Sequence, residues 1–212
     1  MMETASGSKP PAKKIVDEIY MDNVQDGFSP RRGGTWTLHN SHLKYVRDDF
    51  VENDRLLSGE IHNCFADGVF VFLSARPGKK SNREMLDART PPLVKITDTL
   101  VHLEAQPFDG DMKLHDQRYI IDGKACGQLF KWSQWAGTVE VKNCIFRWDE
   151  MTSSGPTLMT FPKGTYEKVT LIWLGEGDYP KPLPEGVTLS RDLNIWESAK
   201  AEWLTRHSQQ SR

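Results

Sequence analysis

The chain has 212 residues, 38% of them hydrophobic and 26% charged, with a formal net charge of −2 at pH 7. That length can bury one substantial core, and the near-balanced charge gives no global attraction to nucleic acid or to an anionic membrane. No run approaches the roughly 20 apolar residues of a membrane span, and three cysteines are too few for a disulfide scaffold.

Residues 1–14 are rich in Ser, Gly, Pro and Lys and lack the apolar stretch of a secretory signal. They are expected to be a disordered tail, with order beginning near Ile15. The compartment stays open, extracellular or periplasmic if the chain is a piece of a longer protein. From there a phrase recurs: apolar, any, apolar, polar, Asn or Asp, then a small residue. Its copies are Ile19 to Val24, Trp36 to Ser41, Gly59 to Cys64, Val94 to Thr99 and Val139 to Cys144, with a weaker sixth around Val169.

Alternation with period two means strands, with Met21, Leu38, Ile61, Ile96 and Val141 facing a core and Asp22, His39, His62, Thr97 and Lys142 facing water. The residue ending each copy (Asn23, Asn40, Asn63, Asp98, Asn143) is of a type that turns the chain, and together they are expected to stack as an internal ladder. Their positions give steps of 17, 23, 35 and 45 residues, too uneven for a propeller or a regular solenoid. Parallel strands joined by variable loops accommodate that drift, with insertions at Arg76–Pro92 and Ala105–Gly127. A second strand is expected after each turn, at Gly27-Phe28, Asp49 to Val51, Val69 to Leu73, Leu129 to Trp132, Thr157 to Met159 and Leu171 to Leu174.

After Ser190 the spacing becomes helical, with Ile195, Trp196, Ala199, Trp203 and Leu204 on one stripe and Ser190 or Asp192 as N-cap. The expected fold is therefore all-β: a right-handed parallel β-helix of about six coils over residues 15–189, with a C-terminal amphipathic capping helix at 190–207 and a tail at 208–212. With no lid before Ile15, self-association through the N-terminal end of the stack is expected.

The phrases Asp26-Gly27-Phe28-Ser29-Pro30-Arg31, Arg47 to Asp54 and Asp67 to Ser74 resemble bacterial right-handed β-helix proteins of the pectate-lyase-like superfamily, over roughly Ile15 to His207. The resemblance implies a polysaccharide partner, acidic or complex, and the charge balance and lack of an apolar span lead to the expectation of neither a nucleic-acid nor a membrane partner. The resemblance also implies chemistry by paired acids or by a strong base, often with calcium. Asp48-Asp49 is similar to the acid pair of polygalacturonases, but no Gly-His-Gly or Arg-x-Lys phrase completes that site.

Asp48, Asp49, Glu52 and Asp54 are the catalytic candidates, because crowded carboxylates split acid and base roles, or converge on calcium. Arg31, Arg76 and Lys131 are the substrate-binding candidates. Strand alternation offers a plainer role for all seven, as turn residues and ion-pair partners. His39 and His62 share an outward slot about 4.8 Å apart, a solvated ladder rather than a metal pair. Cys64 and Cys144 share one slot, but Thr99 between them separates them by about 9.6 Å, which excludes a disulfide. The expected activity is a lyase or hydrolase acting on an acidic polysaccharide. The alternative is a noncatalytic glycan-binding or structural module.

Overall fold

A computed structural model describes residues 13–31, 34–77, 90–107, 120–153 and 155–208. It is predominantly β, built on two parallel sheets and one C-terminal helix. The chain visits the sheets alternately. β1 (Lys14–Asp17), β3 (Trp36–His39), β5 (Gly59–His62), β7 (Leu93–Thr97), β13 (Thr138–Lys142) and β15 (Gly164–Glu167) form the first sheet in that order. The second runs β2 (Tyr20–Val24), β4 (His42–Glu52), β6 (Phe65–Ala75), β8 (Leu100–Leu103), β14 (Ile145–Trp148), β16 (Val169–Trp173) and β17 (Val187–Ser190). Three short strands, β9 (Gln106–Pro107), β10 (Ile120–Ile121) and β11 (Lys124–Ala125), make an antiparallel patch, and β12 (Gln128–Trp132) pairs with β6.

Register turns the sequence repeat into columns. Leu38, Ile61, Ile96 and Val141 are aligned across the first sheet and buried, while His39, His62, Thr97 and Lys142 are aligned on its outer surface. The first copy of the repeat was misplaced. Val16, not Met21, sits beside Leu38, whereas Met21 belongs to the second sheet beside Leu43. The turn column is therefore Glu18, Asn40, Asn63, Asp98, Asn143 and Lys168, all with φ between 47° and 53°. Asn23 stands outside it.

That column faces outward, contrary to the internal ladder expected. Asn63 Nδ2 donates to Asn40 Oδ1 at 2.7 Å and Asn143 Nδ2 to Asp98 Oδ1 at 3.1 Å, and Asp98 and Asn143 are exposed. A left-handed residue reverses the chain with its own side chain outside the bend, so the next residue points in. Ser41, Cys64, Thr99 and Cys144 form the internal column, and the side chain of each bonds the carbonyl two residues back. Cys64 and Cys144 are both free and buried, as their spacing requires, and so is Cys126.

Strand 157–159 is not formed; Pro156–Leu158 makes a 3₁₀ turn instead, as suits a proline whose ring fixes φ. The expected insertions fall largely on 78–89 and 108–119, outside the described residues, as do 1–12 of the expected tail and 209–212 of the other.

The helix α1 (Leu193–Ser208) begins at Asp192, whose Oδ1 accepts the Asn194 N–H at 3.0 Å. Its position corrects the capping expectation. Trp196 and Trp203, seven residues apart and fully buried, pack on Phe65, Leu100 and Ile172, which are outer-face residues of the second sheet. The helix thus lies across a sheet face, while β17 forms the sheet's terminal strand. Two indoles bury far more apolar area on that face than on a narrow strand edge. Among the described residues no helix is long and apolar enough to cross a membrane.

Candidate active site

The two longest strands position the site. Register shifts between Val46 and Asp49 where β4 pairs with β6, and between Asp67 and Val69 where β6 pairs with β8. Gly68 (φ 73°) stands within the second shift, and Tyr45 (φ 52°), just before the first, bends β4 opposite it. Beyond them the strands take new neighbours. Phe28 bridges Val51, Val51 pairs with Leu73, and Leu73 pairs with Phe130, giving a third parallel row. Close approach at its start requires Gly27, where a Cβ would sit 2.5 Å from the Phe50 carbonyl oxygen.

One residue after each member of this row comes Ser29, Glu52, Ser74 and Lys131, with Glu52 and Lys131 both in register with Ser74. Ser29 Oγ donates to Glu52 Oε2 at 2.7 Å, and Arg31 Nη2 lies 3.9 Å from the same oxygen. Ser74 Oγ donates to Asp54 Oδ1 at 3.5 Å. Lys131 Nζ reaches both Asp49 oxygens at 3.4 Å and Asp48 Oδ1 at 3.7 Å. Simple alternation would send Asp48 and Asp49 to opposite faces, but at the register shift both meet one ammonium.

A third carboxylate joins them. Oxygens of Asp26, Asp48 and Asp49 lie within 4.8 Å of one another. Burial, reinforced by the Asp48 charge and opposed by Lys131, pushes the Asp49 carboxyl up to about 7. Burial and the charges of Asp48 and Glu52 raise Asp26, and burial with the charge of Glu52 raises Asp54. Lys131 is held above its ordinary range, since its attraction to Asp49 and Asp48 outweighs the burial that would lower it. Three converging oxygens are a calcium donor set in kind, yet two of the three carboxylates, Asp49 and Asp48, already face the Lys131 ammonium at 3.4 and 3.7 Å. These residues do not fit a resident divalent cation, and no step below runs through one.

Of the seven sequence candidates, Asp48, Asp49, Glu52, Asp54, Arg31 and Lys131 therefore gather on one surface. Arg76 is exposed and contributes its backbone N–H to the Asp54 carboxyl. Asp26, Ser29 and Ser74 were missed. Asp26 was readable, because it precedes Asp49 by 23 residues, the step that separates Asn40 from Asn63. His39 and His62 do stand side by side, with ring centroids 5.6 Å apart; His62 Nδ1 is 2.8 Å from Thr97 Oγ1, and His39 Nε2 is 4.0 Å from Glu60 Oε2.

No family model, curated protein or solved structure matches the chain.

Proposed function

We propose that the alternating sheets and the third row are the faces of a right-handed parallel β-helix of about six coils, akin to the pectate-lyase-like superfamily, and that the cluster around Asp49 processes an acidic polysaccharide. The registers support the winding: residues of each sheet meet partners one repeat away, while buried columns run between.

The observation that carries the activity is the Asp49 carboxyl. A carboxyl with a pKa near 7 beside other carboxylates is the arrangement that separates acid from base. In hydrolysis, Asp49 gives its proton to the glycosidic oxygen as the bond from the anomeric carbon to that oxygen breaks. Asp48, more exposed than Asp49 and with an oxygen within 4.8 Å of it, stands too close to leave room for a water between them. Its carboxylate therefore bonds to the anomeric carbon as the glycosidic bond breaks, and water then displaces it while Asp49, now ionised, takes the water's proton. One water is consumed per bond. Arg31, 76% exposed at its side chain, seats a sugar carboxylate with guanidinium donors that its long contact to Glu52 leaves free.

A second reading, a noncatalytic glycan-binding or structural module, draws on the same residue, because Asp49 is only 3% exposed and already ion-paired. Incubation with a panel of uronate polymers separates the two. Hydrolysis yields new reducing ends without unsaturation, and the rate falls as pH rises through about 7, where Asp49 loses its proton. Asp49→Asn should lower turnover by about 100-fold or more at unchanged fold. New unsaturation would make the protein a lyase. Cleavage confined to a cationic glycan would instead follow the surplus of carboxylates over cations. Inertness toward every polymer leaves the module.

A further inference from the structure

Both sheets end on the same side of the molecule, in β1 and β2. These strands carry Ile15 (64% exposed) and Tyr20 (63%), the most exposed large hydrophobic side chains among the described residues. Behind them Val16, Met21 and Val24 pack against the core and are only partly covered. The Lys14 and Glu18 N–H groups are spent on β3, donating to Thr35 and His39 carbonyls at 2.9 and 3.3 Å. Because a strand's backbone groups alternate between its two sides, those of Ile15 and Asp17 face the free edge.

We infer that this edge pairs antiparallel with a second copy of the chain about a two-fold axis through Ile15. An axis perpendicular to the sheet keeps inward residues inward, so a residue can face only a residue of the same parity. With Ile15 opposite the copy's Ile15, Lys13 falls opposite the copy's Asp17, twice by symmetry. The inward Lys14 stem and Val16 meet across the same seam. The outward face of the five-residue segment Lys13-Lys14-Ile15-Val16-Asp17 is thus complementary to itself in charge and in apolar contact. Shifting the register by two residues sets Ile15 against Asp17 and loses this match.

Head-to-tail stacking is disfavoured by the same columns. The outer row that begins with Asp17 ends at Glu167 on β15, so a parallel continuation in register places Glu167 beside the next copy's Asp17. A closed pair caps both exposed edges at once, whereas a filament perpetuates them.

Sedimentation equilibrium on the full chain tests the pairing, with a dimer dissociating in the micromolar range expected for a small interface. Asp17→Lys should weaken it at least about tenfold by opposing the copy's Lys13, and adding Lys13→Asp should restore it. Ile15→Cys should cross-link into covalent dimers under mild oxidation, since facing residues of a hydrogen-bonded antiparallel pair lie about 5.5 Å apart at Cα, within disulfide reach. The native cysteines are buried and serve as the unreactive background. A monomer at every concentration overturns the inference, as it would if another segment covered the edge. Assembly beyond the dimer, or a dimer indifferent to Asp17→Lys and silent with Ile15→Cys, overturns it equally.

Discussion

Two carboxylate clusters, one on each side of the β4 and β6 bends, have opposite electrostatics. Under the helix, Asp67 lies 3.3 Å from Lys200 Nζ, 3.5 Å from His42 Nε2 and 4.0 Å from His102 Nδ1. Asp149 accepts a two-pronged bond from Arg147 at 2.7 and 2.8 Å and lies 3.2 Å from His102 Nε2. Burial acts to raise both, but these donors outweigh it, and both carboxyls are held below the ordinary range. Asp49 meets one ammonium, shares it with Asp48, and stands beside Asp26. Burial there wins. Carboxylates supplied with more donors than they need fasten one element to another, whereas carboxylates short of donors keep a proton to exchange.

The first way to break this comparison is to remove the helix's anchor. Trp196 is fully buried against Phe65 and His102, with Arg147 6.0 Å from its ring. Trp196→Ala should cost about 3–5 kcal/mol in a thermal or urea melt. A cost under about 1 kcal/mol would show that the helix adds little to the folded state.

Next comes Asp149→Ala, which leaves Arg147 to Glu197 at 3.5 Å and His102 to Asp67 at 4.0 Å and should cost about 2 kcal/mol. Lowered carboxyls have a definite sign. Their stabilisation is complete above the unfolded value near 3.8 and is lost as pH falls through and below it. Tryptophan fluorescence should therefore report acid release of the helix, at a higher pH in the Asp149→Ala variant than in the parent.

Asp49→Asn sharpens the contrast through the reverse sign. A carboxyl raised from 3.8 to about 7 binds its proton more tightly when folded, so the parent loses stability as pH rises between those values and changes little above. Asparagine mimics the protonated group. The variant's melting temperature relative to the parent should climb from pH 4 to 7 and then level off, with an upper bound of about 1.4 kcal/mol per pH unit. A difference independent of pH would mean that Asp49 is ionised throughout, and the proposed acid would be lost with it.

How much of this was readable depended on how local each cause is. Strand alternation and the small inward residues at 41, 64, 99 and 144 stand in the sequence, because period and offset are local properties. The first copy was misassigned because Tyr20-Met21-Asp22-Asn23 carries the same letters as a first-sheet strand, while the true member, Lys14 to Glu18, ends in a glutamate. Six of seven site candidates converge because strands β4 and β12 flank β6, a pairing across 82 residues between Asp49 and Lys131 that no spacing rule supplies. Of the expected helix stripe Trp196, Ala199 and Trp203 do face the sheet, whereas Ile195 and Leu204 are exposed, and the docking place depended on Phe65, Leu100 and Ile172 being apolar on the outer face of the second sheet.

The smallest effect separates the outward turn column from the inward one beside it. Asn143 is exposed, has φ of 52°, and donates one bond to Asp98. Glycine takes that backbone conformation freely, which offsets most of the lost surface hydrogen bond and the added freedom of the unfolded chain. Asn143→Gly should therefore change stability by no more than about 0.5 kcal/mol, while Asn143→Ile, whose β-branch clashes in the left-handed region, should cost about 1–2 kcal/mol. An internal amide would behave the other way: glycine would strand buried partners at about 1–3 kcal/mol, and apolar isoleucine would be the milder change. Paired melts of the two variants decide the orientation of the column by the order of their midpoints alone.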